Sequence, residues 1–180
     1  MRLNVGSGFS RTLLLSLALV AILATPGVAD VIVARQTSHL SFIASLSPDT
    51  VKAGGRLSLI VNITPKKRMH VYAPGTKYRA VTVTLNKHAS LKPSRLVYPK
   101  PSIYIFKPLQ EQVLVYSDTF TLTMDIAVGK VPAKGAPLKI MGTLNYQACD
   151  DRVCYLPESV PLEWVIPVTT GHGDTKSRSN

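Results

Sequence analysis

Two cysteines, Cys149 and Cys154, are the residues of this 180-residue chain best suited to chemistry. They stand five positions apart in the segment LNYQACDDRVCYLPESVPLEW. A pair this close can form a structural disulfide, exchange its disulfide with the thiols of another protein, or bind a soft metal ion. The neighbouring residues, and the elements that must position the pair, bear on the choice between these uses.

The four residues between the cysteines, 150–153, predict a hairpin that places Cys149 at the end of one strand and Cys154 at the start of the next. Residues that face each other across antiparallel strands have Cα atoms roughly 4.5–5.5 Å apart, and a disulfide needs about 4.4–6.8 Å. The bond can therefore form without distortion. Such a disulfide stabilises the fold only weakly, because closing so short a loop contributes roughly 2 kcal/mol to the free energy of unfolding, against about 4.7 kcal/mol for a 100-residue loop.

Strand phase predicts where the first cysteine points. Leu144, Tyr146 and Ala148 share the apolar phase of their strand, whereas Cys149 falls in the other phase with Gln147. We therefore expect Cys149 on the outer face, where the thiolate of another protein can attack the disulfide. Two aspartates and one arginine between the cysteines act on the thiols in opposite directions, so the sequence does not rank the two thiol pKa values.

A metal site is a competing use of the two cysteines. Soft-metal sites usually recruit histidine or methionine nearby. Met141 is the only such residue within ten positions of either cysteine, and Met69 and His70 would have to be brought close by the fold. We therefore expect no metal and no small-molecule cofactor, with a copper-binding chaperone left open as an alternative.

Alternation of apolar and polar residues recurs along the chain and predicts strands. It is clearest at residues 40–46, 57–63, 81–85, 120–126, 138–148 and 160–168. Short strands separated by prolines and turns favour an all-β fold of about seven to nine antiparallel strands, either a β-sandwich or a related barrel. No CxxC stands at the start of a helix, which excludes a thioredoxin fold. Any thiol chemistry must therefore be carried by strands.

The N-terminal residues 1–29 have the pattern of a secretory signal peptide. Arg2 and Arg11 precede an apolar run of about 12 residues, and the small residues Gly27-Val28-Ala29 follow it. Spanning a bilayer takes roughly 20 residues, so we expect cleavage after Ala29 and export to the periplasm. The remaining chain divides into a lead-in at 30–38, one domain at 39–168 and a disordered tail at 169–180.

The chain carries a formal net charge of +11, and removing the two arginines of the signal peptide leaves +9. The densest basic cluster is Lys66-Lys67-Arg68, and the other lysines are scattered singly between the predicted strands. Export and this scattering argue against nucleic acid as a partner. We interpret the charge as a solvated surface or as attraction to anionic lipid headgroups.

The segment YQACDDRVCYLPESVPL resembles the cysteine motif of the N-terminal periplasmic domains of the thiol:disulfide interchange protein DsbD, which are immunoglobulin-like. The similarity extends upstream through MHVYAPGTKY, LVYPKP and FKPLQEQVLVYSD, over about residues 40–168. It implies an immunoglobulin-like β-sandwich whose catalytic pair, Cys149 and Cys154, takes electrons from a membrane electron carrier and passes them to periplasmic thioredoxin-like oxidoreductases. It also implies that Cys154 bonds to partners and Cys149 resolves the mixed disulfide.

In this family a cap loop shields the cysteines and moves away when a partner docks. The resemblance places its counterpart at residues 102–110, with Phe106 over the sulfurs, Tyr104 beside it in the loop and Tyr72 near the site. Prolines bracket residues 99–108 and disfavour a central strand there, so the apolar side chains of this stretch need another surface to bury against. Alternatively, Phe106 is an ordinary core aromatic residue and Tyr72 an edge-strand residue.

Two features depart from the family pattern. The family has five residues between its cysteines where this chain has four, and the acidic pair of the family's cap is replaced in SIYIFKPLQ. The sequence ends twelve residues after its last predicted strand, so we expect the membrane electron carrier to be a separate protein. A non-catalytic immunoglobulin-like interaction module with a structural disulfide remains an alternative from a different class.

Overall fold

The computed structural model describes residues 31–107, 110–131 and 136–169. Within these ranges the chain forms twelve strands, of which nine have four residues or more and three are shorter. In chain order they are β1 (Val31–Gln36), β2 (Leu40–Ser47), β3 (Arg56–Pro65), β4 (His70–Tyr72), β5 (Thr82–Leu85), β6 (Leu91–Pro93), β7 (Ser102–Phe106), β8 (Glu111–Tyr116), β9 (Phe120–Val128), β10 (Leu138–Tyr146), β11 (Ala148–Cys149) and β12 (Glu158–Ile166).

The strands pair antiparallel in three sheets. The largest has the order β1-β2-β3-β9-β6, the second β12-β10-β5, and the third β11-β4-β8-β7. The predicted strands that begin near residues 40, 57, 81, 120, 138 and 160 are all present. The all-β prediction is therefore confirmed, and the higher strand count comes from two- and three-residue strands too short to show alternation.

One apolar core joins the sheets. Alternation sets it up: β9 is buried at every second residue from Phe120 to Val128, and β10 likewise from Leu138 to Tyr146. Trp164 of β12 is 1% exposed and donates its indole N–H to the carbonyl of Ala44 in β2 at 3.1 Å. The five-stranded and three-stranded sheets thus pack face to face, as in an immunoglobulin-like β-sandwich.

The chain changes sheets at Gln147. The strand predicted to run unbroken over residues 138–148 instead ends at Tyr146, and β11 begins at Ala148 in the four-stranded sheet. The carbonyl of Gln147 accepts from the backbone N–H of Tyr72 at 3.4 Å, so the crossing residue is already bonded to β4. Cys149 therefore belongs to a different sheet from the strand that leads to it.

Residues 102–106, expected to lie in a loop, form a strand instead. β7 forms a hairpin with β8, with Tyr104 opposite Val113 and Phe106 opposite Glu111. Pro99 and Pro101 lie before β7, and β7 is an edge strand bonded only to β8, which is a position that flanking prolines permit. The candidate cover is therefore the outer strand of the four-stranded sheet.

The ends of the chain differ in part from the expected domain division. The expected lead-in at 30–38 contains β1, which pairs along its whole length with β2. Thr169, the first residue of the expected tail, donates its backbone N–H to the carbonyl of Val51 at 2.8 Å. The expected signal peptide and residues 170–180 lie outside the described residues. In the described ranges, no helix has the length and apolar character that crossing a bilayer requires.

Candidate functional site

The two cysteines meet at the open edge of the four-stranded sheet. β11 pairs with β4 so that Cys149 lies opposite His70. Cys154 comes back to face Cys149 in an antiparallel bridge, with their Cα atoms 4.1 Å apart and their sulfurs bonded. The predicted hairpin is confirmed, and the pair forms one disulfide.

Asp150 holds the turn between the cysteines. Its Oδ1 accepts the backbone N–H groups of Arg152 and Val153, each at 2.8 Å, and its Oδ2 accepts the hydroxyl of Tyr155 at 2.9 Å. These three donors, the backbone ones foremost, lower the pKa of Asp150 to about 2. The turn is thus built by one ionised carboxylate, and it fixes where Cys154 stands.

The two sulfur-bearing residues differ sharply in exposure. Cys149 is 0% exposed, whereas Cys154 is exposed to solvent. Ala148 points into the main core and Cys149 points to the opposite face of the sheet, as strand phase predicted. That face is covered by other side chains, so Cys149 is enclosed although it points away from the main core. Of the two bonded residues, Cys154 is the one at the surface.

Tyr72 contacts both sulfurs. Its hydroxyl oxygen lies 3.0 Å from Sγ of Cys149 and 3.1 Å from Sγ of Cys154. Because disulfide sulfurs carry no hydrogen, the tyrosine O–H is the donor in this oxidised state. Burial raises the pKa of Tyr72 to about 12, so the hydroxyl keeps its proton at neutral pH. The ring of Tyr78 stacks on Tyr72 with centroids 4.3 Å apart.

Tyr104 of β7 is partly buried on the face of the sheet that Cys149 occupies. It packs against the cluster formed by Cys149, Tyr72, Val113 and Val115. Its ring lies 4.3 Å from the ring of His70, centroid to centroid, and its hydroxyl donates to Oδ1 of Asp151 at 3.2 Å. The pKa of Tyr104 is raised, first by burial and then by the hydrogen bond to Asp151.

Phe106 lies two residues further along the same face of β7 and is 9% exposed. It is buried opposite Glu111 but does not belong to the cluster around Cys149. Of the three residues expected to shield the pair, the structure thus brings Tyr72 to both sulfurs, packs Tyr104 against the cluster that contains Cys149 and places Phe106 nearer the hairpin end.

Two ion pairs near the disulfide were not predicted from the sequence. The guanidinium of Arg68 binds Oδ2 of Asp151 through two N–H groups at 2.8 and 3.1 Å, and this pairing lowers the pKa of Asp151. Lys77 pairs with Glu111 at 3.0 Å, and Glu111 also accepts the Tyr78 hydroxyl at 2.7 Å. Arg68 has a φ of 66°, a left-handed conformation that places its side chain across a tight turn.

The described ranges contain no group of three or more histidine, cysteine, aspartate or glutamate side chains arranged to hold a metal ion. His70 lies beside Cys149 and is 3% exposed. Its pKa is lowered by burial, so it is neutral at physiological pH and packs as an aromatic ring between Tyr72 and Tyr104.

A sequence-family comparison identifies "Thiol:disulfide interchange protein DsbD, N-terminal" over residues 44–163. No curated protein matches the chain in sequence. Among solved structures, the N-terminal periplasmic domain of ScsB from Proteus mirabilis superposes with a TM-score of 0.54 at 14% identity, covering 77% of this chain and 53% of that one. This chain therefore spans about half the length of that neighbour, and the likeness shows a shared fold.

Two further structures are similar at lower scores. The reduced DsbD N-terminal domain of Neisseria meningitidis gives a TM-score of 0.42 at 16% identity, covering 73% of this chain and 86% of that one. The yeast GGA1 GAE domain gives 0.42 at 14% identity, covering 75% and 97%. The family match spans two thirds of the sequence and contains both bonded cysteines. The chain thus belongs to the family of N-terminal domains of the thiol:disulfide interchange protein DsbD.

Proposed function

We propose that this domain works in the periplasm, passing reducing equivalents from a membrane electron carrier to thioredoxin-like oxidoreductases through Cys149 and Cys154. The observation that carries the proposal is the unequal exposure of the two bonded residues. Cys154 is open to solvent and Cys149 is fully buried, so the pair has one entry point for a partner and one internal leaving group.

The exchange proceeds in two displacements. The thiolate of a reduced donor attacks Sγ of Cys154, the bond between Cys154 and Cys149 breaks, and Cys149 leaves as a thiolate that accepts a hydrogen bond from Tyr72. A second thiolate of the donor attacks the mixed disulfide and releases Cys154. The donor is then oxidised by two electrons and this domain is a dithiol. The same steps in reverse reduce a disulfide on the acceptor.

β7 is the proposed shield of the reduced pair. Tyr104 covers Cys149 on the outer face of the sheet, and Phe106 lies on the same face further along the strand. Because β7 is bonded on one side only, it can move from the site at the cost of one hairpin ladder and one hydrogen bond to Asp151. A docking partner would displace it and reach both sulfurs.

Trapping tests the assignment of the two cysteines. In the Cys149→Ser variant the resolving thiol is gone, so a thioredoxin-like protein should accumulate as a mixed disulfide on Cys154. Cys154→Ser leaves only a buried thiol and should trap at least about tenfold less. Equal trapping by both variants would contradict the assignment, and no trapping by either would contradict the exchange function.

A reduction potential separates exchange from a structural role. An exchanging disulfide should equilibrate with thioredoxin-like proteins at potentials above roughly −300 mV, whereas structural disulfides lie below that value. A lower potential would favour the interaction module with a structural disulfide.

Stoichiometric Cu(I) binding that is lost in the Cys149→Ser, Cys154→Ser double variant would favour the copper chaperone instead. N-terminal sequencing of the exported protein, expected to begin at Asp30, tests the signal peptide.

A further inference from the structure

Two basic concavities are each lined in part by residues of the segment that carries the cysteines. The first, of about 330 Å³, is lined by Lys67, Arg68, Met69, Asp150 and Arg152. The second, of about 460 Å³, is lined by Lys77, Tyr78, Arg79, Ala80, Gln147 and Pro157. Along the chain, Arg152 of the first concavity lies two positions before Cys154 and Pro157 of the second lies three positions after it. The first concavity thus borders the turn between the cysteines, and Tyr78 of the second stacks on Tyr72, whose hydroxyl contacts both sulfurs.

The charges of these concavities are mostly unbalanced. Their linings contain five cations and a single carboxylate, that of Asp150, whose oxygens are already engaged within the turn. Of the cations, Arg68 is paired with Asp151 and Lys77 with Glu111. Glu158, the next carboxylate along the chain, pairs with His39.

Three exposed cations remain: Lys67, Arg79 and Arg152. None of them makes an ion pair with any carboxylate in the parts of the chain that the structure describes. Lys67 belongs to the Lys66-Lys67-Arg68 cluster, whose sequence gave no indication that it lies beside the cysteines. The fold brings it there because the turn before β4 ends at His70, the residue opposite Cys149.

We propose that these concavities are a docking surface for a thioredoxin-like partner whose reactive cysteine is bordered by acidic side chains. The inference deepens the proposed function and rests on it. Projecting acidic side chains of the partner would enter these concavities and bring its thiolate to Cys154. Attraction between opposite charges speeds encounter and fixes orientation, and it excludes partners with a basic border.

The shape of the surface favours a protein over a lipid bilayer. A bilayer presents a broad, nearly flat anionic surface, which the solvated lysines elsewhere on the chain could meet equally well. Here the unpaired cations line two separate hollows, each formed in part by residues of the cysteine segment. That arrangement suits a partner whose projecting side chains lie beside its own reactive cysteine.

Small thiols of opposite charge test the proposal without a known partner. Glutathione is net negative at neutral pH and cysteamine is positive. The rate of reduction of the Cys149–Cys154 disulfide is measured with each thiol as ionic strength rises from about 0.02 M to about 0.5 M. The rate with glutathione divided by the rate with cysteamine should fall by at least about threefold, because salt screens the attraction of the exposed cations for glutathione.

Charge reversal provides the second arm. In the triple variant Lys67→Glu, Arg79→Glu, Arg152→Glu, the ratio of the glutathione rate to the cysteamine rate should fall by about tenfold or more. The matched control is Lys92→Glu, an exposed lysine on β6 in another sheet, which should leave the ratio within about twofold of the wild type. Circular dichroism confirms that each variant is folded, and the salt series on the unaltered protein needs no variant.

The outcomes separate this inference from the proposed function. Failure of both thiols and of thioredoxin-like proteins to reduce the disulfide would overturn both. Ready reduction with a ratio insensitive to salt and to the triple variant would overturn the docking surface alone. An insensitive ratio together with binding to phosphatidylglycerol vesicles that the triple variant loses would assign the cations to a lipid surface, which also overturns it.

Discussion

The hydroxyl of Tyr72 acts where charge appears during exchange. When the disulfide is opened at Cys154, the electron pair goes to Cys149, which is buried and 3.0 Å from that hydroxyl. A buried thiolate needs a donor, and hydrogen bonds to charged groups are worth roughly 1.5–3 kcal/mol. Tyr72→Phe should therefore slow reduction of the disulfide by 2-mercaptoethanol by about tenfold at neutral pH, measured by stopped-flow fluorescence.

Tyr116→Phe is the matched control for that measurement. The hydroxyl of Tyr116 donates to the carbonyl of Pro99 at 2.8 Å, and its ring lies in the main core on the far side of the sheet from the sulfurs. This variant loses a tyrosine hydroxyl from the same four-stranded sheet but no contact with sulfur. Its disulfide should therefore be reduced at a rate within about twofold of the wild type. A rate for Tyr72→Phe that also stays there would remove the hydroxyl from the mechanism.

Asp150 makes the stability of the fold depend on acid pH. Its pKa is depressed to about 2 from the ordinary value of 3.8, so its ionised form stabilises the native turn above that ordinary value. The contribution is lost as pH falls from about 4 towards 2, because protonation removes the charged acceptor. Asp150→Asn should thus lower the urea midpoint at about pH 6, and the difference from wild type should shrink by about pH 2. A constant difference at both pH values would contradict this role.

At the scale of elements, the proposed shield β7 presents only one of its two faces to the site. Tyr104 and Phe106 face the site side, and Ile105 points to the other side with 53% exposure. Removing an aromatic ring from a cover forfeits roughly 1.5–3 kcal/mol of burial, which opens the cover more often. Tyr104→Ala should therefore raise the rate at which iodoacetamide alkylates the reduced pair by about tenfold or more, and Phe106→Ala should raise it less.

Ile105→Ala is the matched control for the cover, because it shortens an exposed side chain of the same strand on the opposite face. Its alkylation rate should equal that of the wild type. Peptide mapping shows whether the added label is on Cys149, as an opened cover requires. If Phe106→Ala raised the rate more than Tyr104→Ala, the ring over the sulfurs would be Phe106, as the family resemblance implies.

The long strands could be predicted from sequence because apolar and polar residues alternate along each of them, and the apolar face is the buried one. β2, β3, β9 and β12 follow that rule. Alternation does not report which sheet a strand joins, so the change of sheet at Gln147 was invisible and residues 138–148 read as one strand. β4 is buried at all three of its residues and leaves no periodic signal at all.

The bonding of the cysteine site was predictable from spacing, whereas the residues of its cover were indicated by the family resemblance and their contacts were not predicted. Spacing alone predicted the hairpin, and strand phase predicted correctly that Cys149 faces away from the main core. Its burial depends on Tyr72 and Tyr104, which stand 77 and 45 positions earlier in the chain. Contacts that distant follow from the packing of β4, β8 and β7 beside β11, and no local pattern encodes them.

For the molecule as a whole, Trp164 ties the two main sheets together. It is the single tryptophan, fully enclosed, with its N–H on the carbonyl of Ala44 across the sandwich. Trp164→Phe should lower the free energy of unfolding by about 2–3 kcal/mol, through a lost hydrogen bond and the cavity left behind. Urea unfolding followed by circular dichroism measures this.

Val165→Ala serves as its control, because Val165 is the next residue of β12 and is 49% exposed. Its unfolding free energy should change by no more than about 0.5 kcal/mol. Alkylation of the reduced cysteines under native conditions should be the same in both variants, because the pair lies in another sheet. Faster alkylation in Trp164→Phe alone would show that the sandwich and the site open as one unit.

The short turn that Asp150 holds sets how long a partner stays attached. With the Cα atoms of Cys149 and Cys154 only 4.1 Å apart, a partner bonded to Cys154 sits beside a nucleophile that never has to diffuse to it. Well-oriented intramolecular groups react as if present at effective molarities far above any dissolved thiol. In the proposed exchange, attack by Cys149 on the Cys154 sulfur of a mixed disulfide therefore releases an acceptor in its reduced form without any outside thiol. With a donor the same attack only restores the starting disulfide, so the second thiolate of the donor has to compete with Cys149.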